Sequence, residues 1–197
     1  TMGSNQPHGT RHFEATHLFA GAIAEGYAGA VDMLTRSDED TDAAPDISIF
    51  PAAADAKGNR QLEEIAFEVL DTERMSHATT KVEKLAARGV RRLFAIRIAN
   101  RKVYEWNHTH HDWAELDDDA EIHDRCLRVA VPVRAFVDRL LADDTVARAL
   151  IARKNRVIVA ELEAQRRQGV FEGRAEGRAE GRAEGRAEGR AEGRAEG

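Results

Sequence analysis

"EEIAFEVLDTERMSHATTKVEKLAARGVRRLFAIRI" (residues 63–98) decides how the rest of the chain is read. Its first eight residues alternate like a strand, with Glu64, Ala66, Glu68 and Leu70 on one face and Ile65, Phe67 and Val69 on the other. The period then lengthens to that of a helix. Residues 76–88 place Ala78, Val82, Leu85 and Ala86 on one side, with Ser76 as the expected N-cap and Gly89 as the residue beyond the C-terminus. "RRLFAIRI" (91–98) returns to strand character. Both strands are apolar on two faces, which calls for a sheet covered by helices.

Working outward, "APDISIFP" (44–51) holds another strand at 46–50, entered through a proline that fixes the chain's approach. Downstream, "ANRK" turns into "VYEW", a hairpin. The order strand–strand–helix–strand–strand makes an α/β domain. Residues 12–34 carry Phe13, His17, Ala20, Ile23, Ala24, Tyr27 and Val31 at helical spacing, so a helix is expected there despite three glycines. An acidic loop follows. Residues 108–142 read as a polar loop, one or two short strands in "CLRVAV", and a helix in "VRAFVDRLL".

The remainder, "DDTVARALIARKNRVIVAELEAQRRQ" (143–168), reads as one long helix. Ile151, Asn155, Ile158 and Leu162 recur at coiled-coil core spacing, and one polar core Asn is a device for fixing a two-stranded register, so a homodimer is expected. The same stripe could instead pack back on its own domain. The last residues repeat Gly-Arg-Ala-Glu, which stacks like charges at i,i+4 and buries nothing. That tail is expected to be a mobile or marginally helical extension. The organisation is thus a disordered leader (1–11), a domain (12–142), a C-terminal helix (143–170) and a repeat tail (171–197).

Composition narrows the function classes. Hydrophobic residues make up 42% of the chain, enough for a core, and charged residues 32%. A net charge of −6 gives no global signal for nucleic acid, so DNA would have to be met by a local patch. The single cysteine, Cys126, excludes an internal disulfide. No apolar run reaches membrane-helix length, and the expectation is a soluble, cytoplasmic protein.

Two carboxylates stand out. Glu68 lies between Ala66 and Leu70 on a face destined for burial, where an uncompensated charge costs several kcal/mol. Asp46 stands at the mouth of the neighbouring strand. An edge strand with Glu68 in water, and a surface turn at Asp46, would need no further account. Convergence of both on one cation, for which Mg²⁺ or Mn²⁺ suits hard oxygen donors, would give them a purpose. On the 76–88 helix, His77, Lys81, Lys84 and Arg88 share a stripe. Lys81 flanks the apolar face and could reach the carboxylates. Two acids and a lysine suit metal-assisted phosphodiester hydrolysis. An ordinary solvated helix face reads equally well.

Pro45-Asp46, Glu68-Val69-Leu70, Lys81 and Gly89-Val90, in that order and on those elements, resemble the Uma-two family of restriction endonuclease-like proteins, within the PD-(D/E)XK nuclease fold. The resemblance spans about residues 12–140 and implies a mixed sheet flanked by helices. It implies Asp46 and Glu68 as metal ligands, the Val69 carbonyl as a third oxygen, and Lys81 as the catalytic lysine supplied from the helix. The chain departs from the family pattern in three ways. No clean N-terminal acid is found, Glu14 being a poor substitute; strands ahead of Pro-Asp are not evident; and Leu85 stands where an aromatic is usual. A metal-dependent endonuclease acting on DNA is the first reading. A nuclease-fold module without cleavage, serving binding or assembly through its C-terminal helix, is the alternative.

Three weaker signals remain. His108, His110, His111 and Asp112 cluster in what reads as a hairpin loop rather than a zinc site. Cys126 reads as a buried spacer. Tyr104 and Trp106 read as packing residues.

Overall fold

The structure, a computed structural model, describes residues 6–36, 42–71 and 74–195. Helix α1 (Gln6–Ala22) is followed by strand β1 (Tyr27–Val31), a small hairpin of β2 (Thr35–Arg36) and β3 (Asp42–Ala43), β4 (Ile47–Pro51) and β5 (Ile65–Leu70). Helix α2 (Met75–Arg88) leads to β6 (Arg92–Arg97), β7 (Lys102–Asn107) and β8 (Asp112–Glu115). A second small ribbon, β9 (Glu121–Ile122) with β10 (Val131–Pro132), precedes a 3-10 turn (Val133–Phe136), α3 (Arg139–Ala152) and α4 (Arg156–Ala195). No helix among the described residues is long and apolar enough to cross a membrane.

Six strands form one mixed sheet in the order β1-β4-β5-β6-β7-β8. β5 and β6 run parallel, joined by α2, and every other pairing is antiparallel. This is the α/β architecture expected from the strand–helix–strand pattern. On one face Ile47, Ile65, Phe67, Phe94 and Ile96 pack under α1 and the 3-10 turn. Phe67 is the hub: its ring lies 4.7 Å from Phe19, 4.7 Å from Phe94 and 5.3 Å from Phe136. On the other face Ala66, Leu93 and Trp106 meet Val82 and Leu85 of α2. Leu85, where the family pattern has an aromatic, is fully buried there.

Several expectations are corrected. The helix predicted over 12–34 ends at Ala22, and Tyr27 and Val31 belong to β1, which pairs with β4 from Tyr27↔Pro51 to Val31↔Ile47. Strands do therefore precede Pro45-Asp46. "YAGAV" is too small and short to advertise a strand; edge pairing with β4 makes it one. α1 begins at Gln6, inside the stretch expected to be a disordered leader, with Pro7 in its first turn where its missing N–H costs nothing. Residues 1–5 of that leader lie outside the described residues. α2 starts at Met75 after Arg74, so Ser76 is not its cap, whereas Gly89 closes it at φ 107° as expected. "VRAFVDRLL" splits at Asp138, whose carboxylate caps α3 by accepting from the N–H groups of Leu140 and Leu141.

The chain divides into two compact units between Arg153 and Lys154. The helix expected to run unbroken through 143–168 ends at Ala152, and Lys154 adopts φ 54°. Asn155 accepts from the N–H groups of Val157 and Ile158, so it caps α4 instead of occupying a coiled-coil core position. The repeat tail continues α4 as helix to Ala195.

Candidate functional site

The antiparallel register of β4 on β5 runs from Ile49↔Ile65 to Ile47↔Phe67, so β4 begins two residues short of the position that would face Val69. Asp46 fills that gap with its side chain. Its Oδ2 accepts from the Val69 N–H at 2.6 Å, continuing the ladder through a carboxylate. A strand residue's N–H and C=O point the same way, so the Val69 carbonyl faces the same open end. Pro45, itself buried, sets the chain's angle into this turn.

Glu68 points to the opposite face from Phe67 and Val69, under α2, and is 6% exposed. Its Oε2 accepts from Lys81 Nζ at 2.8 Å. Lys81 rises from the flank of α2's buried face, as its spacing implied, and keeps 29% of its side chain exposed. The pair reconciles a buried charge with the low-dielectric sheet face. Asp46, Glu68, Leu70, His77, Ala78 and Lys81 all line one cavity of about 220 Å³, together with His8. The sheet end is open here because β4 begins only at Ile47 and α2 only at Met75.

His8 and His12 are the residues that sequence reasoning missed. His8 Nε2 lies 4.0 Å from Asp46 Oδ1, and His12 Nε2 donates to the Asp46 carbonyl at 2.7 Å. Their signal was "HGTRH", two histidines at i,i+4, hidden because His8 fell in the stretch read as a leader while His12 opened the domain. Glu14 is engaged elsewhere: it pairs with Arg11 at 2.8 Å.

The other candidates sit elsewhere. His108 Nε2 donates to the Arg91 carbonyl at 3.0 Å, and Asn107 Oδ1 closes the β7–β8 turn through the N–H groups of Thr109 and His110. Trp106 is buried against Trp113, with ring centroids 5.3 Å apart. Cys126 is fully buried beside Asp124 and Glu64, and burial first, then those carboxylates, pushes its thiol up to about 12. It stays protonated and inert at neutral pH.

A larger cavity, about 530 Å³, opens at the other end of β5 beside Glu64, Arg91 and Arg125. Its charges are spent on one another. Arg91 donates to Glu64 Oε2 at 3.1 Å and forks onto Asp124 at 2.9 and 2.7 Å, while Arg125 meets Glu64 at 2.7 Å. That network ties the 123–126 segment to the sheet, and its chemistry is structural.

Compared with models of known families and with curated proteins, the chain finds no match. Among solved structures it is similar to a protein from Anabaena variabilis described as "a putative nuclease belonging to DUF820", the Uma-two family. The TM-score is 0.56 at 11% sequence identity, covering 71% of this chain and 83% of that one. The two share a fold. It is the nuclease-type fold with a mixed sheet flanked by helices that the order of Pro-Asp, Glu-Val-Leu and helical lysine implies.

Proposed function

We propose that the chain is a metal-dependent endonuclease that hydrolyses phosphodiester bonds in DNA, with Asp46 and Glu68 as metal ligands and Lys81 as the catalytic cation. The observation that carries this reading is the convergence of Asp46, Glu68 and Lys81 on one cavity at the open end of a nuclease-type sheet. The donor set fits a divalent ion: two carboxylates, with the Val69 carbonyl facing the same opening. A bound ion would lower the pKa of an attacking water and offset charge on the phosphate.

Each residue of the chain has a definable task. The Val69 N–H fixes Asp46 through Oδ2 and leaves Oδ1 turned to the cavity. Glu68 holds the Lys81 ammonium in place through one of its three N–H bonds. The remaining two can orient a water or donate to a phosphate oxygen as negative charge accumulates there. Arg74, His77, Lys81, Lys84 and Arg88 succeed one another at helical spacings of three and four, giving α2 and the residue before it a basic stripe that meets the cavity at His77 and Lys81. In a chain of net charge −6 this is the local patch a nucleic-acid backbone would follow.

The test is nicking of supercoiled plasmid by the full chain with Mg²⁺ or Mn²⁺. Asp46→Asn keeps an acceptor for Val69, and Glu68→Gln keeps the side chain's volume. Each, like Lys81→Ala, is expected to slow nicking by roughly 100-fold or more while the protein stays folded. Nicking that survives these changes, or none by the unaltered protein on DNA or RNA, would overturn the proposal. The second outcome would leave the non-cleaving module.

A further inference from the structure

His8 and His12 give the site donors of a different kind from the oxygens on the sheet. They stand four residues apart on α1, which places them on one helix face, with ring centroids 6.1 Å apart at 81°. That face meets the start of β4. One ligand atom from each of His8, His12 and Asp46 falls within 4.8 Å of the others. Two donors about 2.1 Å from a common ion can stand at most about 4.2 Å apart, and His8 Nε2 to Asp46 Oδ1 is 4.0 Å.

The hydrogen bonds around these groups also decide which atoms are left to bind an ion. A carbonyl can only accept, so the His12 Nε2 that meets the Asp46 carbonyl at 2.7 Å carries the proton. Its Nδ1 is then the lone pair. Metal-bound histidines characteristically hand their second nitrogen to a backbone carbonyl or carboxylate in this manner. Asp46 is pinned through Oδ2 by Val69 and turns Oδ1 to His8. Oxygen donors and water are what Mg²⁺ prefers. Two imidazoles and a carboxylate suit a first-row transition ion.

We infer that His8 and His12 join Asp46 in holding a first-row transition ion, of the Mn²⁺ or Zn²⁺ kind, in preference to Mg²⁺. The inference rests on Asp46 being a metal ligand, as proposed above, but not on cleavage. Calorimetric titration of the full chain with MnCl₂, ZnCl₂ and MgCl₂ separately should show Zn²⁺ binding at least tenfold more tightly than Mg²⁺. In the double variant His8→Ala/His12→Ala, Mn²⁺ and Zn²⁺ should weaken by roughly tenfold or more and Mg²⁺ should be unchanged. Pulsed electron paramagnetic resonance of the Mn²⁺ form of the unaltered protein should detect coupling to ¹⁴N that the double variant lacks. Bound Mn²⁺ without nitrogen coupling, or coupling that persists in the double variant, overturns the inference. Plasmid nicking separates the two readings. Asp46-dependent cleavage with nitrogen-free Mn²⁺ leaves the nuclease and removes the histidines as ligands, whereas nitrogen-coupled Mn²⁺ without cleavage does the reverse.

Discussion

Asp124 keeps only 2% of its side chain exposed, and burial alone would raise its carboxyl. The Arg91 fork, the Cys126 N–H at 3.0 Å and Arg92 at 3.2 Å outweigh that and hold it well below the usual carboxylate range. Glu64 moves the same way: burial opposes, and Arg125 and Arg91 prevail. A carboxyl lower in the folded than in the unfolded chain contributes stability that is present above the unfolded value, about 4, and is lost as pH falls through the folded one. Urea unfolding should therefore give a flat stability from about pH 5 to 7 and a decline below about pH 4. Asp124→Asn should lower the plateau, by about 1–3 kcal/mol because Arg91 keeps 39% of its side chain exposed, and make the acid decline shallower. Equal acid slopes for the two proteins would remove Asp124 as the titrating group.

At the scale of elements, α2 both covers the sheet's second face and delivers Lys81, so its end matters to the site. Gly89 holds φ 107° while its N–H and that of Val90 close onto the carbonyls of Ala86 and Leu85. A β-carbon there would stand 3.6 Å from Leu62 Cδ2, an ordinary contact, so space is not the obstacle. Conformation is. Gly89→Ala should cost about 1–2 kcal/mol, read as a lowered urea midpoint, with nicking retained in what stays folded. The opposite face is kept close by Gly21, where an added β-carbon would stand 3.2 Å from Val146 of α3.

On the scale of the whole molecule, the division at Arg153–Lys154 makes α4 a unit by itself. Its Gly-Arg-Ala-Glu turns place no opposite charges at i,i+3 or i,i+4, so they add nothing to the core. Removing residues 173–197 should leave the unfolding midpoint of the remaining chain and its nicking rate within error. The homodimer expected from the sequence now depends on α4, where Val157, Leu162 and Phe171 are exposed, because Asn155 is a cap. Sedimentation equilibrium should show a dimer at micromolar concentration that Ile158→Asp weakens. A monomer throughout would sink it.

By itself the sequence determined the strand–helix–strand centre and which residues face each side of it. Alternation at 63–70, the 3.6-residue stripe at 76–88 and Gly89 are local signals, and burial of Glu68 with Lys81 above it follows from those periods alone. Tertiary structure decided what local periods do not encode. "YAGAV" is a strand only because β4 offers it an edge. Asn155 fits a coiled-coil core and a helix cap equally well in one dimension, and the left-handed turn at Lys154 chooses the cap. His8 and His12 gain their neighbour Asp46 only when α1 is laid across the start of β4, a contact between residues far apart in the chain that no spacing within either segment specifies.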